Sequence, residues 1–208
     1  MNKTVLKVRL TFTEPVLGTR PGDPELLKDY ILDKARKKHP DLPPEMEEEE
    51  VKAMPAVDNA VDLKSTFFSR DNDGDPMLWD FMLKGFFKEA CWALRRLPDT
   101  VSKKLKAYIK EIHGLVFAFP RKIKLNLPEG EKITMYERPL RAKTPQGERV
   151  SIARSEMIPA GTTCELKIHV LSPALIDAVM EWLDYGKYKG LCQFRTGSFG
   201  RFTYELLD

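Results

Sequence analysis

Two stretches, one at each end of the chain, alternate strictly between apolar and polar side chains. In residues 4–13, Leu6, Val8, Leu10 and Phe12 alternate with Lys7, Arg9 and Thr11. In Cys164–Leu171, Cys164, Leu166, Ile168 and Val170 alternate with Glu165, Lys167 and His169. A period of two sends successive side chains to opposite faces of a pleated strand, so each stretch reads as a strand with one face buried and one wet. Such a face needs a second layer to cover it. Two helices can supply that layer. Trp79, Leu83, Phe86, Ala90, Leu94 and Leu97 recur at three- and four-residue steps and predict a helix over Leu78–Leu97. A second helix runs from Pro173 to about Tyr188. Its proline sits in the first turn, where no amide is needed, and Leu175, Val179 and Leu183 form its buried side.

The other elements fit around these four. A more basic helix is predicted from Thr100 to Ile112, capped by Thr100 or Ser102 and ended by Gly114. Leu115–Phe119, Ile123–Leu127, Ile133–Glu137 and Arg149–Met157 read as strands between turn signals such as Pro128–Gly130. A last strand, Arg201–Leu206, buries Phe202, Tyr204 and Leu206. The order β-α-β-β-α-β implies an α+β chain with a ferredoxin-like (RRM-like) antiparallel sheet and helices on one face. Residues 20–60 read as an insertion. It holds a helix over Glu25–Lys38, ended by Pro40, Pro43 and Pro44, then a short acidic helix reaching Met54. The expected organisation is a single domain, 1–208, with a helical acidic insertion at about 20–60. At 208 residues and 42% hydrophobic content, the chain can bury a core without disulfides or a structural metal.

Several function classes are excluded. No apolar run approaches the ~18 residues that cross a bilayer as a helix. The opening MNKTVLKVRLTF has charges inside its apolar stretch and no small-residue cleavage site after it, so a cytoplasmic protein is expected. Cys91, Cys164 and Cys192 have no C-x-x-C spacing and read as reduced thiols. The turn Asp71–Pro76 resembles the opening of a calcium loop, but Met82 stands where its bidentate acid belongs. No metal and no cofactor are expected. Ser151, Ser155 and Ser198 lack the G-x-S-x-G setting of a hydrolase nucleophile. The net charge of +3 is unevenly spread: 18 of the 34 basic but only 12 of the 31 acidic residues lie from 101 onward. The second half is therefore the part suited to phosphate contact.

Between the last helix and the last strand lies a segment with Gly186, Gly190, Gly197 and Gly200, the cations Lys187, Lys189, Arg195 and Arg201, and the aromatics Tyr185, Tyr188, Phe194 and Phe199. Glycines let backbone amides approach a phosphate, and aromatics offer platforms for unpaired bases. Ile158-Pro-Ala-Gly161, the alternating strand, the helix and then Arg195-Thr-Gly197-Ser-Phe-Gly200-Arg201 together resemble the C-terminal signature of the RAMP (repeat-associated) superfamily of CRISPR effector proteins. Pro76 to Lys88 is similar to that superfamily's P-x-x-x-G-S-S-x-K-G-x-x-R block, with Lys84, Gly85 and Lys88 in its basic positions. The chain differs in having Gly197-Ser-Phe-Gly200 for the usual G-F-G, and Trp79-Asp80-Phe81 before Lys84.

The resemblance implies a ferredoxin-like, non-catalytic RNA-binding or ribonucleoprotein-complex subunit in antiviral defence, with RNA or an RNA-guided protein complex as partner. The residues assigned to nucleic-acid contact are Lys84, Lys88, Lys189, Gly190, Arg195, Gly197, Gly200 and Arg201, with Arg138, Arg141 and Lys143 on a β-hairpin arm. Two alternatives remain open. One is a metal-independent endoribonuclease using His39 as acid or base, since the superfamily includes histidine-dependent RNases. The other is a mobile-element or phage protein that inhibits a defence complex by mimicking a subunit. His113 is expected at a helix C-terminus and His169 on the wet face of a strand.

Overall fold

The computed structural model describes residues 3–29, 49–55, 57, 62–145 and 147–208, the side chains of 142–144 excepted. The chain divides into two compact units. The first is drawn from Met1–Val16, Met77–Lys132 and Ile158–Asp208. The second is drawn from Leu17–Pro76 and Ile133–Met157.

The first unit contains the ferredoxin-like core. Its strands are β1 (Thr4–Phe12), β2 (Val116–Phe119), β3 (Thr163–Val170) and β4 (Phe202–Leu207). They form an antiparallel sheet in the order β4-β1-β3-β2. Helices α1 (Asp80–Leu94) and α4 (Ile176–Asp184) lie in the chain between β1 and β2 and between β3 and β4. The alternation sets the register: Val8 faces Leu166 and Leu10 faces Cys164 across β1 and β3. Val8, Leu10, Phe12, Cys164, Leu166, Ile168 and Val170 are all buried. Aromatic side chains join that face to the helices. Phe86 of α1 meets Phe202 of β4 at 5.2 Å between ring centres, and Phe87 meets Trp182 of α4 at 5.5 Å.

Several predicted boundaries move. Leu78 and Trp79 belong to a short strand, Pro76–Trp79, that pairs with Lys122–Lys124, and the helix begins only at Asp80. All four residues of that strand are buried, so it shows no alternation to mark it. The helix ends at Leu94, ahead of Pro98. The single helix expected over Thr100–Ile112 is two: α2 (Val101–Lys104) and α3 (Tyr108–Leu115). Leu105 between them is extended, with φ −82° and ψ 102°. Thr100 caps α2 as expected, accepting from the Lys103 amide, whereas Gly114 lies inside α3. The helix expected over Pro173–Tyr188 is a 3-10 turn, Pro173–Leu175, then α4, then a second turn, Tyr185–Lys187.

In the second unit, the hairpin arm expected around 138–149 is part of one longer hairpin, Thr134–Thr144 against Gly147–Ile158, which also takes in the strands expected over Ile133–Glu137 and Arg149–Met157. Ser155 of this hairpin lies beside Thr66 in parallel register, and their hydroxyls bond at 2.9 Å. Glu156 accepts from the Phe68 amide at 2.8 Å and pairs with Arg70. Arg20 pairs with Glu50 at 2.6 Å with both side chains largely buried. Residues 24–29 are helical, the start of the helix expected over Glu25–Lys38, whose remainder lies outside the described residues.

Candidate nucleic-acid interface

Helix α1 carries Lys84, Lys88 and Glu89 within two turns. Its first turn holds Asp80, a favourable sign of charge at a helix N-terminus. Lys84 is half-buried with its ammonium 4.2 Å from the centre of the Phe117 ring, a cation–π contact. Burial pushes the Lys84 ammonium below its ordinary pKa, and the nearby Asp80 carboxylate pulls it partly back. Lys88 lies one turn further along, its Nζ 3.3 Å from Nε2 of His113 in the last turn of α3.

Glu89 joins this helix to the glycine-rich segment. Lys189 reaches it at 3.0 Å, and Arg195 pairs with its other carboxylate oxygen. Two of the four cations predicted on the segment, Lys189 and Arg195, therefore converge on one carboxylate of α1, leaving a net charge of +1 in the cluster. Glu89 is the member that the sequence analysis missed. Its partners lie a hundred and more residues away, so no local pattern marks it.

The glycines of the segment meet a packing requirement. A Cβ on Gly190 would stand 2.1 Å from the carbonyl carbon of Gly200, and one on Gly200 would stand 2.1 Å from the Leu191 oxygen. Gly200 also has φ +72°. The two ends of the segment cross with their backbones in contact, fixed by the Leu191 amide donating to the Gly200 oxygen at 2.9 Å. Gly197 leaves room for the Phe194 ring, which stacks on Phe199 at 5.4 Å. Phe194 and Ser198 hold left-handed φ of 53° and 72°. The amides of Leu191, Gly197, Ser198 and Gly200 all donate to protein carbonyls. These four amides are therefore committed within the fold, and the positive character of the segment rests on side chains. Arg201 adds a guanidinium whose Nε is buried without a hydrogen bond.

Arg138 and Arg141 lie on the first strand of the hairpin, in the second unit. Arg141 is exposed and sits 3.9 Å from Glu148. Lys143 is opposite Glu148 in the register, and its side chain is not among those described. His39 lies outside the described residues. His113 takes the predicted place in the last turn of a helix. His169 is on β3 with its ring 4.6 Å from that of Phe119. Among the described residues, no helix is long and apolar enough to cross a membrane.

No family model matches the sequence, and no curated protein does. Solved structures do. One is a chain of the Type III-B Cmr-beta complex bound to cognate target RNA, 11% identical with a TM-score of 0.50 over 99% of this chain. This chain spans only 59% of the length of that one. Another is a chain of a Type IV-B CRISPR complex, 12% identical with a TM-score of 0.51, covering 98% of this chain and 90% of that one. The shared property is the fold. This protein has the α+β fold found in CRISPR-complex subunits.

Proposed function

We propose that this chain is a non-catalytic subunit of a CRISPR-type ribonucleoprotein complex and that it contacts RNA. The observation that carries the reading is the likeness of fold to a Type IV-B CRISPR-complex chain across 98% of this chain and 90% of that one. The cations on α1 and the glycine-rich segment support it, because they gather on one helix and the loop tied to it. Lys84 and Lys88 provide charge along α1. Arg201, Arg195 and Lys189 provide it on the loop, and within the second unit Arg138, Arg141 and Lys143 are proposed contacts on the hairpin. The contact would be electrostatic through side chains, with phosphates as the target.

Binding to single-stranded RNA measured over a range of salt concentrations tests this reading. Phosphate contact gives a linear fall of log affinity with log salt, with a slope of roughly −0.7 per phosphate neutralised. Lys84→Ala with Lys88→Ala is expected to weaken binding and flatten that slope by about 1.4. Glu89→Gln, which removes the carboxylate facing Lys189 and Arg195, is expected to strengthen binding. Affinity that does not change with salt contradicts the reading.

A further inference from the structure

Helices α1 and α3 run antiparallel and are tied at two points. Lys88 lies 3.3 Å from His113, and the Arg95 guanidinium stands 4.9 Å from the centre of the Tyr108 ring. Trp92 falls between those points on α1, one turn from each. Ile109 falls between them on α3, one turn before His113. Leu97 follows in the turn that closes α1, its amide donating to the Leu94 oxygen at 2.9 Å. Trp92, Ile109 and Leu97 are 50%, 50% and 51% exposed. The helices bury their other sides, through Phe87, Ala90 and Cys91 on α1 and Ile112 on α3.

This seam is basic as well as apolar. Residues 92–113 hold six cations, Arg95, Arg96, Lys103, Lys104, Lys106 and Lys110, against two acids, Asp99 and Glu111. Among the described residues, none of the six forms an ion pair. Two kinds of anionic macromolecule suit a basic face, a nucleic acid and an acidic protein. The side chains favour the protein. A guanidinium already stands over the Trp92 ring, at 3.6 Å, and another over the Tyr108 ring, where a base would stack. Leu97 and Ile109 are aliphatic and give a base no platform, whereas covering them with an apolar side chain is favourable. Tryptophan and arginine together are the residues that most often anchor one protein on another.

We propose that this seam docks an acidic, amphipathic helix of another protein. The apolar side of that helix covers Trp92, Leu97 and Ile109, and its carboxylates face Arg96, Lys103, Lys106 and Lys110. None of the cations assigned to RNA takes part, so the proposal stands independently of the RNA-contacting reading.

The test uses the full chain and a fluorescent synthetic helix of glutamate, alanine and leucine, with the leucines on one face. Anisotropy reads binding, and thermal melting confirms that each variant folds. The parent is expected to bind this peptide. Trp92→Ala is expected to weaken binding about tenfold, the size of a modest anchor, and Ile109→Ser to weaken it as well. Arg96→Glu with Lys110→Glu should abolish binding, and a peptide with lysine in place of glutamate should not bind the parent. A parent that binds the acidic peptide but no oligouridylate supports this proposal and removes the RNA-contacting reading. No binding of the acidic peptide by the parent overturns the proposal. Equal affinity for polyglutamate, which has the charge without the apolar side, also overturns it, as does unchanged peptide affinity in the Trp92→Ala/Ile109→Ser double variant. Oligouridylate affinity that falls with Trp92→Ala assigns the face to nucleic acid and overturns the choice of a protein.

Discussion

Glu89, Gly190 and Gly200 show how single residues shape the loop. Glu89 gathers Lys189 and Arg195 onto α1, while the two glycines let the loop's ends cross backbone to backbone. Gly200→Ala adds a Cβ 2.1 Å from a carbonyl oxygen at φ +72°, so neither space nor conformation permits it. It is expected to destabilise the fold by more than about 2 kcal/mol. Gly85, also in a block resembling the RAMP superfamily, gives the opposite result. It is exposed on α1 with nothing within 4 Å of a built Cβ, so Gly85→Ala should gain about 0.5–1 kcal/mol. Urea denaturation of the two variants checks the contrast. Cys164 offers a pH prediction. Burial pushes its thiol pKa up to about 12, well above the ~8.5 of an unfolded cysteine. The folded state keeps the proton that the unfolded chain loses. The stability is therefore fully present below about pH 8.5 and declines as pH rises toward 12. Denaturation at rising pH should show this decline, and it should be smaller in Cys164→Ala, where Cys192, whose thiol burial also pushes up to about 12, still contributes.

At the scale of elements, the helices are held by specific polar anchors. Glu181 of α4 accepts from the amides of Val101 and Ser102 at 2.8 and 3.0 Å, supplying partners to the start of α2. Its carboxylate also holds the Ser102 hydroxyl, which accepts from the Trp182 indole at 2.9 Å. Glu181→Ala is expected to cost about 2 kcal/mol, since it leaves these donors without their acceptor. Thermal melting measures it, and a change below about 0.5 kcal/mol would contradict the role given to Glu181. The same elements show what a sequence makes legible. Strands β1 and β3 and the body of α1 follow from periodicity, because each has one wet and one buried side. The break at Leu105 does not, because Lys104-Leu-Lys-Ala107 holds neither glycine nor proline and reads as continuous helix. The pairing of Thr134–Thr144 with Gly147–Ile158 is only partly legible. Val150 and Ile152 are 61% and 58% exposed, so apolar residues there do not mark a buried face. The site follows the same rule. The cations were visible as residue types, but the convergence of residues 89, 189 and 195 depends on tertiary contacts.

At the scale of the molecule, the ferredoxin-like core presents cations on α1 and its tethered loop. The fold matches chains of CRISPR complexes across nearly its whole length. The proposed role is to hold RNA within a complex of other subunits. The decisive measurement is affinity purification of the tagged chain from its native host, with the nucleic acid and proteins in the eluate both sequenced. The account predicts a small RNA bound together with other subunits, with the RNA lost when Lys84, Lys88, Arg195 and Arg201 are replaced together by alanine in a variant that still melts cooperatively. Recovery of protein partners without RNA, or RNA retained undiminished by that variant, would contradict it.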